Sequence, residues 1–147
     1  MDKNDAHRIK LWRRRGYYSE RQLVKKLEEK GYHAVRIPLS NPSMNPLPDV
    51  IGRRKNHVYS FECKNGSYAV TTPKEQIIKL FQFLEFFIPT ERRFKHSVLV
   101  AHLKKEWKMK EVSWLDYDND TLENATITRD SRSTFNIEKG LDRYRRY

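Results

Sequence analysis

Hydrophobic residues recur along this chain with two different periods. In "SERQLVKKLEEKG", Leu23, Val24 and Leu27 fall at helical spacing; Ser19 with Gln22 three residues on reads as a capping box, and Gly31 as the stop. This predicts a short amphipathic helix that begins at Ser19. A period of two takes over in "YHAVRIPL" (32–39), a strand, and "SNPSMNPLP" (40–48) reads as a loop. Next, "DVIGRR" and "HVYSFECK" flank Lys55-Asn56 and predict a β-hairpin. A second helix is announced by Thr72 as N-cap, Pro73 at the first helical position and Glu75 closing a capping box, and it runs to about Phe87, ahead of Pro89. The continuous apolar run "HSVLVAHL" (96–103) fits a buried strand, "KKEWKMK" reads as a basic connection, and "EVSWLDY" (111–117) alternates like an edge strand. Beyond Asp118, "DNDTLENATITRDSRST" offers no element, and "IEKGLDRYRRY" ends in basic and aromatic residues. The order α-β-β-β-α-β-β predicts an α/β fold in which a central mixed sheet is flanked by helices.

The 147 residues suit a single domain, divided here into a basic N-terminal arm (1–15), a core domain (16–117) and a tail or extension (118–147) that packs in part on the domain. Charge sharpens the picture. Thirty Lys and Arg against nineteen Asp and Glu leave a net +11. Such a surplus favours a polyanionic partner, nucleic acid first and an anionic membrane surface second, because neutralised phosphates release counterions. No apolar run approaches the ~20 residues of a membrane span and no signal-peptide h-region opens the chain, so a soluble, cytoplasmic protein is expected. The single cysteine, Cys63, excludes an internal disulfide and a cysteine zinc knuckle. His33, His57, His96 and His102 have no zinc-ligand spacing and read as strand or surface residues.

Within the predicted hairpin, alternation puts Val58, Ser60, Glu62 and Lys64 on one face and Tyr59, Phe61 and Cys63 on the other. Pairing around Lys55-Asn56 brings residues near Asp49 opposite residues near Glu62. Two half-buried carboxylates so close repel each other, and a divalent cation held by carboxylates, waters and a substrate phosphate resolves the conflict. Lys64 then stands where it can orient or help deprotonate an attacking water and stabilise phosphate charge. A solvent-facing Glu-Lys strand pair with Asp49 capping a loop is the structural alternative.

Glu20 shares its helix face with Leu23, Val24 and Leu27, so its carboxylate projects from the buried side; the alternative is an acid serving the helix dipole. Gln76, near the start of the second helix, is a further candidate. In that helix Ile77, Leu80, Phe81, Leu84, Phe87 and Ile88 form the expected core stripe, while Phe83 and Phe86 lie off its centre and predict a second buried surface, either a dimer interface or a helix sandwiched within the monomer. Basic footholds for a nucleic-acid backbone are Arg13, Arg14 and Arg15, Arg21, Arg36, the hairpin's Arg53, Arg54 and Lys55, and Lys104, Lys105, Lys108 and Lys110 around Trp107. Arg143, Arg145 and Arg146 read as solvated surface.

Pro48-Asp49 followed by Glu62-x-Lys64 matches the PD-(D/E)xK nuclease signature. With Gly16-x-x-x-Glu20-Arg21 ahead of it and "KEQ" before an apolar helix, the stretch from about Arg15 to Leu115 resembles the archaeal Holliday junction resolvases. The resemblance implies a restriction-endonuclease-like fold and a homodimeric, Mg2+-dependent endonuclease, with Mn2+ able to substitute, that resolves four-way DNA junctions by paired incision. It implies Glu20, Asp49, Glu62 and Lys64 as the catalytic set. The metal would be held by Asp49, Glu62, the main-chain carbonyl of Cys63 and, through water, Glu20. Ser40 or Ser43 corresponds to a loop serine of the family, although "SNPSMNPLP" departs from the family's Lys- and Gly-rich loop. Two alternatives stay open: another nuclease of the same superfamily acting on linear duplex, or a non-catalytic branched-DNA-binding protein. A clamp or helicase partner is not identified by the sequence.

Overall fold

The computed structural model describes residues 3–38 and 46–138, without the side chains of 3, 5 and 7–16. In chain order the elements are α1 (Lys3–Glu29), β1 (His33–Arg36), β2 (Val50–Arg54), β3 (His57–Gly66), β4 (Ala69–Thr72) and α2 (Lys74–Phe87), then a 3-10 turn (Arg92–Phe94), β5 (Lys95–Leu103), β6 (Glu106–Val112), α3 (Trp114–Asp118) and β7 (Ala125–Thr128). Five strands form the central sheet in the order β1-β2-β3-β5-β6. Only β3 and β5 run parallel, with α2 in the crossover between them; the other neighbours pair antiparallel, so the sheet is mixed as expected.

Strand β5 is buried along nearly its whole length because both faces are covered. Val98 and Val100 face a core built with Leu23 and Leu27 of α1, Val50, Tyr59, Phe61 and Phe135. Leu99, Ala101 and Leu103 face the opposite core with Ile77, Leu80 and Phe81 of α2 and Ile127 of β7. The alternation expected for β3 is present: Tyr59 and Phe61 enter the α1-side core, whereas Ser60 donates its hydroxyl to the Leu80 carbonyl of α2 at 3.3 Å.

Four expectations need correction. First, α1 does not begin at Ser19. Its backbone is helical from Lys3, because the strong helix formers of the basic segment propagate through Gly16, whose cost of about 1 kcal/mol the longer helix absorbs. Ser19 is therefore interior and 1% exposed, and its hydroxyl bonds His102 Nδ1 at 2.8 Å instead of capping. The C-terminal stop does hold: Tyr32 N–H reaches Leu27 O at 3.0 Å, Gly31 N–H reaches Glu28 O at 3.1 Å, and Gly31 takes φ +86°, which completes a Schellman turn.

Second, the capping box of α2 does not form. Thr72 ends β4, Pro73 occupies the N-cap without a side-chain bond, and the Lys74 N–H is satisfied by Asn124 Oδ1 at 2.8 Å, fifty residues away. Third, "KKEWKMK" is no connection. Lys104, at φ +59°, and Lys105 turn the chain, and 106–112 returns as β6 with Leu103 opposite Glu106; Ser113 then caps α3 by accepting the Leu115 N–H. Fourth, the polar tail contains β7, which pairs with β4 in a separate two-stranded sheet. It continues to Phe135, 6% exposed, while Ile137 O accepts the Tyr32 hydroxyl and an Arg54 N–H.

The stripe of α2 is also rotated from its expected centre: Phe83 is buried, and Phe87 joins Phe86 at the surface, 61% and 66% exposed. His33, His57, His96 and His102 are all strand residues, as expected, and two of them form a buried pair. His57 Nδ1 lies 2.8 Å from His96 Nε2, and His96 Nδ1 is 3.3 Å from Glu111. No described helix is long and apolar enough to cross a membrane.

Candidate active site

The β2–β3 register pairs Val50 with Phe61, which sets Asp49 opposite Glu62. Asp49 continues the ladder with its own N–H donating to Phe61 O at 3.0 Å, and its carboxylate Oδ2 accepts the Cys63 N–H at 2.9 Å. From β1, the Ile37 N–H donates to Asp49 O at 2.9 Å, so the residue is held from both sides. The hairpin thus fixes Asp49 by main-chain geometry and leaves the carboxylate against Glu62, to which it is hydrogen-bonded. Lys64, two residues along the same face, brings its Nζ to 3.8 Å from Glu62 Oε1.

Glu20 enters from α1, its side chain 13% exposed. Its Oε2 accepts Arg36 Nε at 2.6 Å, and the Arg36 guanidinium lies 4.3 Å over the Tyr17 ring, one helical turn before Glu20. A dipole role is excluded by position, since Glu20 lies well inside the helix and not in its first turn.

Electrostatics tie the three acids together. Burial first, then the Asp49 charge, push Glu62 up to about 8, with Lys64 pulling the other way. Burial also raises Asp49, opposed by the Cys63 N–H, Lys64 and Arg36. Glu20 is raised by burial and Asp49 and restrained by Arg36. The Cys63 thiol is pushed well up by burial and by the same three carboxylates, which leaves it a protonated, inert neighbour. Glu62 therefore carries a proton that it shares with Asp49 near neutrality.

This donor set suits a hard divalent cation. Magnesium commonly takes one or two protein carboxylates and keeps several waters, and a cation between Asp49 and Glu62 would displace the shared proton and relieve their repulsion. Among the described residues no group of three or more His, Cys, Asp or Glu side chains is gathered as a ready-made metal cage. Asp49 and Glu62 lie against each other, with Glu20 nearby and engaged by Arg36.

The remaining candidates separate by position. Gln76, in the first turn of α2, buries its amide oxygen without a hydrogen-bond partner among the described residues. Arg21, Arg53 and Lys55 are exposed, but the hairpin tip at Lys55-Asn56 lies six to seven residues from Glu62, roughly 20 Å at strand rise. Arg54 is committed to the Ile137 and Glu138 carbonyls and stacks on Tyr32 at 5.3 Å. Ser40 and Ser43, together with the side chains of Arg13, Arg14 and Arg15 and all of Arg143, Arg145 and Arg146, lie outside the described residues. The contact that sequence reasoning missed is Arg36 with Glu20. Its only signal was an arginine on the strand that precedes the carboxylate hairpin, which fitted a phosphate contact equally well.

A mixed sheet whose central hairpin presents Asp, Glu and Lys to one end, with a helical Glu facing them, defines the PD-(D/E)xK class of nuclease site. The model of the family "Archaeal holliday junction resolvase (hjc)" matches residues 12–146. The chain belongs to that family. It is 38% identical over 111 residues to the crossover junction endodeoxyribonuclease Hje of Sulfolobus acidocaldarius, covering 75% of this chain and 78% of the relative. It is 45% identical over 73 residues to the Hje of Saccharolobus islandicus, covering 49% and 54%, and 37% identical over 94 residues to the crossover junction endodeoxyribonuclease of Sulfolobus islandicus rod-shaped virus 1, covering 63% and 75%. Its fold matches the structure of Hjc, a Holliday junction resolvase from Archaeoglobus fulgidus, with a TM-score of 0.59 at 16% identity over 78% of this chain and 88% of that one.

Proposed function

We infer that this protein carries out the reaction of its family, the structure-specific resolution of Holliday junctions, and that Glu20, Asp49, Glu62 and Lys64 perform it in a divalent-metal-dependent way. The observation that carries the assignment is the Asp49–Glu62 carboxyl pair, held by main-chain bonds, with Lys64 on the same face. Asp49 and Glu62 would hold a magnesium or manganese ion, joined by the Cys63 carbonyl and, through water, Glu20. Such an ion supplies charge stabilisation to the scissile phosphate and acidifies a bound water. Lys64 donates to the phosphate or orients the attacking water, and its distance to Glu62 keeps its ammonium aimed at the site. Gln76, whose buried amide oxygen has no hydrogen-bond partner among the described residues, would accept a hydrogen bond from a water.

The excess of positive charge supports backbone-dominated binding of DNA, and the active form is proposed to be a homodimer. Two observations support a dimer: Phe86, Phe87 and Leu115 expose apolar surface at the end of α2 and on α3, and symmetric incision needs two sites where one chain supplies one.

The test uses a synthetic four-way junction beside a linear duplex of the same arms, with magnesium or EDTA. Magnesium-dependent paired nicks at the junction, resistant to excess linear duplex, are expected. Equal cutting of both substrates would move the protein to a general nuclease, and tight binding without cutting would leave a branch-binding protein.

A further inference from the structure

A serine in the middle of a helix ordinarily faces solvent or bonds back to the carbonyl one turn earlier. Ser19 does neither of these as its main interaction. It is 1% exposed, it directly precedes Glu20, and its hydroxyl meets His102 Nδ1 at 2.8 Å across 83 residues of sequence. His102 belongs to β5, whose parallel register with β3 sets Ala101 beside Lys64 and His102 beside Asn65. The hydrogen bond therefore links the turn of α1 that carries Glu20 to the strand pair that carries Glu62 and Lys64.

The ring of His102 is itself fixed. It pairs across β5–β6 with Trp107 and stacks on the indole at 4.0 Å between centroids and 9° between planes. Lys26, seven residues and two helical turns beyond Ser19 on the same face of α1, places its ammonium 5.4 Å over that indole. Helix α1 thus grips the His102–Trp107 stack at two points, above and below Leu23, which is fully buried. A rigid hold is needed here because α1 supplies one acid of the site while a different part of the fold supplies the others. Rotation of the helix by a fraction of a turn would carry Glu20 away from Asp49. Arg36 cannot prevent this alone, since it too reaches Glu20 only through a side chain.

We propose that Ser19 and His102, with His102 braced by Trp107, act as positioning residues that set the azimuth of α1 and so hold Glu20 against Asp49 and Glu62. The proposal rests on the reading of Glu20 as a member of the catalytic set. Neither residue touches the substrate in this scheme, so their loss should alter the chemical step and spare junction affinity.

The experiment measures single-turnover cleavage of a four-way junction at saturating protein, together with the junction Kd and the melting temperature, for Ser19→Ala, His102→Ala and the double variant. Each single variant is expected to cut about tenfold more slowly with Kd within about twofold of wild type, and the double variant no more slowly than the worse single. His102→Asn, whose amide occupies the Nδ1 position, should recover most of the rate. Single-variant rates within about twofold of wild type, losses that multiply in the double variant, or a loss confined to Kd would each overturn the clamp. If an alanine variant does not fold, Ser19→Cys and His102→Asn carry the same test, with loss expected for the first and near-normal cutting for the second. A wild type that binds but never cuts overturns the proposed function and the clamp with it. A cutting wild type with unaffected variants overturns the clamp alone.

Discussion

Asp49 Oδ2 accepts the main-chain N–H of Cys63 at 2.9 Å, the one residue that separates Glu62 from Lys64. Since the Asp49 N–H also donates to Phe61 O, the aspartate is stitched to β3 on both sides of Glu62 and cannot swing away from it. Its carboxylate has one oxygen spent on structure and one left for chemistry.

Asp49→Asn keeps an oxygen for the Cys63 N–H but loses the charge. Junction cleavage should fall by about a hundredfold to a thousandfold, the scale set by removing a single electrostatic group from an active site. Junction binding should be unchanged or tighter, because a negative charge near phosphates is gone. Near-normal cutting by this variant, measured at saturating protein, would remove Asp49 from the site.

Glu62 predicts a pH dependence of stability. Its folded pKa, about 8, stands above the unfolded value of 4.5, so its stabilising contribution is full below pH 4.5 and is lost as pH rises toward and past 8. In EDTA, the urea unfolding free energy of wild type minus that of Glu62→Gln should therefore decrease across that window. A divalent ion held by Asp49 and Glu62 would displace the same proton, so affinity for magnesium or manganese is expected to rise by up to about tenfold per pH unit below 8 and level above it. Calorimetric titration at three pH values checks this, and a flat response would separate Glu62 from the metal.

Arg36 holds Glu20 at 2.6 Å and stacks on Tyr17. Arg36→Gln should raise the Glu20 pKa further and slow cleavage about tenfold, because the carboxylate loses the cation that restrains it. If the variant instead loses only affinity, with an unchanged single-turnover rate at saturation, Arg36 is a phosphate contact.

Lys95 buries its ammonium at the end of α2, donating to Leu84 O and Ile88 O at 3.1 Å each. Leu84 O also accepts the Ile88 N–H at 3.3 Å and Ile88 O the Thr90 N–H at 2.9 Å, so the ammonium is a second, charged donor to each. Lys95→Met should cost about 1–3 kcal/mol in chemical denaturation while leaving the cleavage rate of the folded protein unchanged. A loss below about 0.5 kcal/mol would mean that the backbone donors alone satisfy those carbonyls.

Phe86 and Phe87 test the dimer. Replacing both with Glu puts charge into an apolar patch, at the cost of the Phe87 stack on Phe83, and leaves the buried Phe81 and Leu84 in place. Sedimentation should show a monomer, and junction cleavage should change from paired incision to isolated nicks. Retention of a dimer would move the interface elsewhere.

What the sequence determined by itself was local or carried by a strict period. Alternation in β3 separated Glu62 and Lys64 from Tyr59 and Phe61, the two-residue turn at Lys55-Asn56 set the register opposite Asp49, and Gly31 ended α1 through a positive φ that few other residues tolerate. These features rest on geometry within a few residues, and they were legible for that reason. Tertiary structure decided what depended on distant partners. Ser19 carried the signature of an N-cap, yet His102 claimed its hydroxyl and the helix ran on through it; Thr72 and Glu75 carried a capping box, yet Asn124 supplied the cap. β6 and β7 looked like connection and tail because their own residues are polar, and pairing with β5 and β4 made them strands. Arg36 could serve phosphate or carboxylate, and only the approach of α1 to β1 chose Glu20. A polar group takes whichever partner the fold brings to it first, and a single sequence does not record that distance.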